Sequence, residues 1–133
     1  MGLDNGVCVK RNAYTNSILE LRPFEDDWDK EHECDFSITY WRKCWNIRND
    51  LFSLGIGRDE GNYIMSALDL DVMIRLLESY NEENFTDGGS CIWDWNEEDY
   101  PYSEKIQRDI EALKLLRGLM DRYDLEVYFY DSY

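Results

Sequence analysis

The sequence predicts a single α+β domain in which three helices pack on a small mixed or antiparallel sheet. Two observations lead to this prediction: short β-prone segments indicate strands, and longer segments with helical spacing lie between them. The 133 residues are in the usual range for one domain, and residues 1–133 contain neither an internal repeat nor a change in composition that would divide them. We therefore expect one hydrophobic core.

Short β-prone segments account for the expected sheet. The clearest is the apolar and mostly aromatic segment 125–130, and 36–40 alternates apolar and polar residues. Pro23 ends the segment before it or places that segment at an edge of the sheet. The expected strands are 7–10, 17–22, 36–40, 91–95 and 125–130, with 63–68 as a strand or the segment that leads into a helix.

Three longer segments have apolar residues at helical spacing. The first covers 41–54 and ends in a glycine-rich turn at 55–57. The second begins after Asp69, which is expected to be its N-cap. The third and longest covers about 101–123. These three segments supply the helices of the predicted fold.

The net charge of −15 is the most unusual feature of the composition. Nucleic acids and anionic membranes bind cationic surfaces, so direct binding to either is not expected. Two interpretations of the charge remain open. It can be a solvated surface that keeps the protein soluble, or a surface that imitates nucleic acid and occupies a basic groove on a partner.

The sequence also bears on location and on cysteine chemistry. No apolar run reaches the roughly 20 residues that span a bilayer, and the first residues lack the basic and apolar regions of a signal peptide. We therefore expect a cytoplasmic protein. In that reducing compartment the four cysteines, which lie far apart and form no C-x-x-C pair, are expected to be free thiols, whereas in a secreted protein they could form two disulfides. No cofactor is expected.

Residues 40–49 form a basic and aromatic segment in an otherwise acidic chain. If this segment is helical, Trp41 and Trp45 lie on one stripe and Arg48 falls near the middle of that stripe. A guanidinium on a buried face must pair with a carboxylate, with carbonyl groups or with a bound anion.

Two interpretations of Arg48 therefore stay open. In the first, Arg48 pairs inside the protein with one of the 29 acidic side chains, and its stem lies across an aromatic ring. In the second, Arg48 lines a pocket for a phosphate or carboxylate group, while an aromatic ring stacks on a planar base. The candidate ligand-binding residues are Tyr40, Trp41, Arg42, Lys43, Trp45 and Arg48.

Two acidic tracts, 25–35 and 82–99, together hold 14 of the 29 acidic residues. We expect each to be a solvated segment or a surface for a basic partner. The carboxylates of 94–99 do not follow the calcium-loop pattern, so no metal site is expected. The single histidine, His32, has no visible nucleophile partner, so no catalytic residue is expected either.

Several short motifs occur in a recognisable order along the chain: 1–4 (MGLD), 40–43 (YWRK) with Ile47, the helix after Asp69, Trp93 with Trp95, and 128–133 (YFYDSY). Together they resemble a family of uncharacterised small phage and prophage proteins, whose members begin MGLD, carry a YWRK-type box and end in an aromatic strand. The resemblance implies a phage or bacterial setting, in which small accessory proteins often interfere with host processes.

Three functions are compatible with these observations. The first is a binding protein that sequesters an anionic, nucleotide-like small molecule, such as a host immune signal, in the host cytoplasm. The alternative is an acidic interaction protein or nucleic-acid mimic that inhibits a basic host defence enzyme, as an anti-CRISPR protein does. The third is a small enzyme that uses clustered carboxylates, for which no catalytic constellation is visible. The oligomeric state stays open.

Overall fold

The computed structural model describes residues 3–42, 44–80 and 102–133. These ranges contain a four-stranded antiparallel sheet and several helices, so the protein has an α+β fold, as predicted. The strands are β1 (Asp4–Val9), β2 (Phe36–Arg42), β3 (Asn62–Ile64) and β4 (Val127–Ser132). The α-helices are α1 (Ala13–Asn16), α2 (Asp27–Glu31), α3 (Trp45–Ser53), α4 (Ala67–Ser79) and α5 (Tyr102–Arg122), and a 3-10 helix covers Leu19–Phe24.

The strand order in the sheet is β2-β1-β4-β3. The strands nearest the two ends of the sequence, β1 and β4, are therefore neighbours at the centre. Gly6 of β1 lies opposite Tyr40 of β2 on one side and opposite Tyr130 of β4 on the other. The β1–β2 ladder shifts its register between Val7 and Cys8.

The two faces of the sheet differ because side chains alternate along each strand. One face joins α4 and α5 in the hydrophobic core through residues such as Val7, Trp41 and Phe129. We call the opposite side the outer face, and its central residues, read from the strand register, are Asp4, Gly6, Cys8, Tyr40, Tyr128 and Tyr130.

The helices at the core are the ones with the clearest apolar periodicity. The apolar stripe of each of these two helices faces the core, and its last residue, Tyr80 after α4 and Met120 in α5, is only partly buried. The buried residues are Leu70, Met73, Ile74 and Leu77 in α4, and Ile106, Ile110, Leu113 and Leu116 in α5. The turn after α3 is also confirmed, because Gly55 has a φ of 84° and the Ile56 N–H donates to the Leu51 carbonyl at 2.9 Å. Of the helices in the described ranges, none has the length and apolar composition needed to cross a membrane.

Three local predictions are wrong. The segment 17–22 is not a strand, since a 3-10 helix that contains Pro23 begins at Leu19. The first long helix begins at Trp45 and not at Trp41, because β2 continues through Arg42. The N-cap of α4 is Ser66, and Asp69 stands three residues later at position N3, where it completes the capping box. The expected strand 91–95 lies outside the described residues.

Candidate functional site

Arg48 points from α3 to the C-terminal strand and pairs there with buried carboxylate oxygens. Its Nε donates to Asp131 Oδ1 at 2.7 Å, and its Nη2 donates to Asp131 Oδ2 at 3.0 Å and to Asp59 Oδ1 at 2.8 Å. The side chain of Asp131 is completely buried, and that of Arg48 is 11% exposed. Of the two interpretations of Arg48, the structure shows the internal ion pair.

Asp131 accepts two further hydrogen bonds. The Asn5 side-chain amide donates at 2.7 Å, and the Glu60 backbone N–H donates at 3.0 Å. Burial on its own raises the pKa of Asp131, but the hydrogen bonds from Arg48, Glu60 and Asn5 more than offset it and hold the pKa below its usual value. Asp131 is therefore an ionised carboxylate with its oxygens occupied by donors.

Three aromatic rings surround the Arg48 guanidinium. Its Cζ lies 4.3 Å from the centre of the Phe52 ring, 5.2 Å from that of Tyr133 and 5.4 Å from that of Trp45. The Tyr133 hydroxyl donates to Asp59 Oδ1 at 2.6 Å. One positive group thus meets two carboxylates and three rings, so the local charge is negative and does not favour an incoming anion.

The other candidate residues do not gather around Arg48. Trp41 is buried under the helices, where its indole N–H donates to Asp109 at 2.8 Å. Tyr40 lies on the outer face and donates to Asp4 at 2.5 Å, and Arg42 is opposite Asp4 in the strand register. Lys43 lies outside the described residues. Of the described candidates, the structure places only Trp45 beside Arg48.

The predicted stripe was wrong because the segment changes from strand to helix within it. In a strand, Trp41 and Arg42 point to opposite faces of the sheet, whereas a helix would have placed Trp41 in line with Trp45. The spacing of apolar residues over so short a segment did not distinguish the two.

A groove on the outer face was not predicted from the sequence. It has a volume of about 750 Å³ and runs from the loop before β2, across β1 and β4, to the residues that lead into β3. Cys8, Tyr128 and Tyr130 form its floor. Acidic residues occur toward both ends, with Glu33 and Asp35 at one and Glu60 at the other.

One end of the groove is held in place by Arg11. Its backbone N–H donates to Asp35 Oδ1 at 2.9 Å, and its Nε donates to the Cys34 carbonyl at 2.6 Å. The other oxygen of Asp35 accepts the Tyr128 hydroxyl at 2.5 Å. Asp35 is therefore fixed at the rim by a backbone N–H and a phenol.

The floor of the groove is neutral. Burial raises the pKa of the Cys8 thiol to about 12, so it is protonated and is not a nucleophile at neutral pH. Burial also raises the pKa of Tyr128 and of Tyr130 above their ordinary values. The groove therefore combines uncharged, aromatic groups below with carboxylates around them.

The acidic tract 25–35 is only partly a solvated surface. Glu25 pairs with Arg11 at 2.5 Å and with Arg22 at 2.6 Å, and hydrogen bonds from these arginines lower its pKa. Asp26 and Asp29 form the capping box of α2. The structure thus uses part of this tract to build the fold, and the second tract, 82–99, lies outside the described residues.

The cysteine prediction is partly wrong. Cys8 and Cys34 are free thiols, whereas Cys44 is disulfide-bonded.

Within the described ranges, no three His, Cys, Asp or Glu side chains are arranged to hold a metal ion.

Comparison of the chain with protein-family models, with curated protein sequences and with solved structures gives no match. The resemblance to phage and prophage proteins therefore stays a prediction.

Proposed function

We propose that the protein is an acidic interaction protein that binds a basic surface of a partner protein, as a nucleic-acid mimic does. The observation that supports this proposal is the charge balance around Arg48, where one guanidinium faces Asp131 and Asp59. Arg48, which was a candidate anion-binding residue on the basis of the sequence, thus stabilises the fold through these two ion pairs.

The same pattern extends over the described residues. At least eight of the 14 basic side chains form ion pairs with the protein's own carboxylates: Lys10, Arg11, Arg22, Arg48, Lys105, Lys114, Arg117 and Arg122. Since acidic residues outnumber basic ones by 29 to 14, this pairing leaves a surplus of carboxylates. Such a surface attracts cationic partners and repels nucleic acid.

A competition assay tests the proposal. The protein is titrated into complexes between labelled double-stranded DNA and a panel of purified bacterial DNA-binding enzymes, and the released DNA is measured. We expect release from at least one enzyme, and we expect it to weaken steeply between about 50 and about 300 mM salt because screening reduces charge attraction. No release from any enzyme, or release that does not depend on salt, would contradict the proposal.

A matched pair of variants separates charge from side-chain shape. Asp27 and Glu31 are exposed residues of α2. Replacing them by Asn and Gln should weaken the competition, whereas Asp27→Glu with Glu31→Asp keeps the charge and should preserve it. Equal activity of the two double variants would show that these carboxylates do not contribute.

Binding of an anionic, nucleotide-like molecule is a second candidate function. It is favoured by the exposure of Trp45 (40%) and Tyr133 (38%) beside the Arg48 guanidinium. An anion would have to displace Asp59 from Nη2 of Arg48. Thermal-shift measurements with cyclic dinucleotides and ADP-ribose derivatives test this, and the absence of any shift in both the wild type and Asp59→Asn would contradict it.

A further inference from the structure

We infer that the groove on the outer face is the binding site for an arginine-bearing, extended segment of the partner protein. This inference rests on the proposed function and adds the site and the chemistry of the partner. It stands on three features of the groove: carboxylates at both ends, an aromatic floor without charge, and the unusual backbone of two of the acidic residues.

The carboxylates are placed where a cationic chain that crosses the sheet would pass them. Glu33 and Asp35 lie at the end near β2, and Glu60 lies at the end near β3. Asp35 is held by Arg11 and Tyr128, so it needs little reordering when a ligand binds. A segment with two separated positive side chains would match this arrangement of charge.

At each end of the groove, a glutamate has a backbone conformation that is unusual for this residue type. Glu33 has a φ of 55° and Glu60 a φ of 46°, and these are the two non-glycine residues with positive φ among the described residues. Glycine or asparagine occupies this conformation at lower cost than glutamate. A glutamate at each position keeps a carboxylate on the groove at the expense of stability, which is typical of binding sites.

The floor suits a planar cation. Protonated tyrosine rings attract a guanidinium through their faces, and arginine stacks on such rings better than lysine does. The ring of Tyr130 lies against β1 because Gly6 has no side chain: a Cβ added there would be 2.8 Å from a ring carbon of Tyr130. The glycine thus opens room over the sheet for an aromatic surface.

The groove on the outer face is large enough to hold side chains of a peptide. About 750 Å³ is within the range of sites that enclose small ligands, roughly 300–1,000 Å³. The groove is open along its length, so an extended chain can lie across it with its arginines directed to the two ends.

A peptide-binding experiment tests the inference. The probe is a fluorescein-labelled peptide of alternating glycine and arginine, with a lysine peptide of equal length and charge for comparison, and binding is measured by fluorescence anisotropy. We expect the arginine peptide to bind more tightly by about threefold, because only the guanidinium combines stacking with two-point hydrogen bonding.

The decisive variant is Glu33→Asn with Glu60→Asn. Asparagine tolerates positive φ, so the fold should be kept or stabilised, which a urea denaturation curve checks. The matched control is Glu111→Gln with Asp124→Asn, which removes the same charge from exposed positions on and just after α5. We expect the groove variant to lose about tenfold in affinity and the control less than about twofold.

Tyr130→Leu gives an independent measurement of the floor and should weaken the arginine peptide by about threefold. If the groove variant and the control lose affinity equally, the groove is not the site, although the general acidic-interaction proposal stands. If the arginine peptide does not bind the wild type at low salt, the groove inference is also overturned. The DNA-competition assay then decides the general proposal separately.

Discussion

Asp131 and Asp109 are both 3% exposed and both pair with a basic side chain, yet the protein shifts their pKa values in opposite directions. Burial raises the pKa of each, but that of Asp131 ends below its ordinary value, whereas that of Asp109 ends above it. The difference lies in what surrounds each carboxylate.

Asp131 accepts two hydrogen bonds from Arg48, one from a backbone N–H and one from an amide. Asp109 accepts one from the Trp41 indole at 2.8 Å and one from Lys105 at 2.9 Å. A cation is present in both sites, so its presence alone does not set the direction. Asp131 accepts four hydrogen bonds against two for Asp109, and Asp109 also lies deeper in the protein and so loses more solvation; both differences lower the pKa of Asp131 relative to that of Asp109.

The largest expected effect comes from Asp131→Asn. This change leaves the nearly buried Arg48 guanidinium with Asp59 as its remaining carboxylate partner in the cluster. We expect a loss of about 3–5 kcal/mol in the free energy of unfolding at pH 7, because Arg48 loses its fully buried partner and the exposed Asp59 compensates its charge only in part. Urea denaturation of the variant and the wild type measures it.

The pH dependence of this loss has a definite sign. Because the folded-state pKa of Asp131 is lowered, its contribution to stability is present above the unfolded-state value and is lost as the pH falls through the folded-state value. The difference between wild type and Asp131→Asn should therefore shrink on acidification below about pH 4. A difference that stays constant down to pH 2 would contradict this account.

The environments of the two aspartates also show which features could be predicted from the sequence and which could not. The α+β class and helices α4 and α5 follow from apolar periodicity, which depends on nearby residues. The partner of Arg48 is 83 positions away in the sequence, and it meets Arg48 because β4 pairs with β1 at the centre of the sheet. No spacing within residues 40–49 carries that information.

The outer-face groove was missed for a similar reason. The segment with Tyr128 and Tyr130 was correctly predicted to be a strand, but its neighbour across the ladder was not known. Only the register places Gly6 beside Tyr130 and Cys8 beside Tyr128. Gly6 precedes the expected strand 7–10 but lies inside β1 in the structure, where a glycine often marks a close approach.

Arg48→Lys should sharpen the comparison by changing the number of donors without changing the charge. Lysine cannot reproduce the two-point hydrogen bond to Asp131, nor the third bond to Asp59. We expect a loss of about 2–3 kcal/mol, which is smaller than that of Asp131→Asn because a positive group remains. A loss below about 0.5 kcal/mol would show that charge alone stabilises the site.

Trp41→Phe removes one of the two donors of Asp109 and keeps an aromatic ring in the core. We expect a loss of about 1–2 kcal/mol, since the buried carboxylate loses a hydrogen bond. The pKa of Asp109 should rise further, because fewer donors then offset its burial. Measurement of the carboxyl chemical shift by NMR across pH follows that rise, and an unchanged pKa would exclude the indole N–H as a significant donor.

The smallest effect is expected for Asp109→Asn. Asparagine resembles the protonated carboxyl, and its carbonyl oxygen can still accept the Trp41 N–H. Lys105, whose side chain is 17% exposed, can turn toward water.

Because the folded-state pKa of Asp109 is raised, the folded state binds the proton more tightly, so ionisation costs stability as the pH rises above the unfolded-state value. The variant avoids this cost and should differ from the wild type by less than about 1 kcal/mol at pH 7, with the wild type gaining on the variant as the pH falls toward about 4. Urea denaturation at several pH values measures both. A loss at pH 7 as large as that of Asp131→Asn would mean that the ion pair with Lys105 outweighs burial, and the donor-count explanation of the two aspartates would then fail.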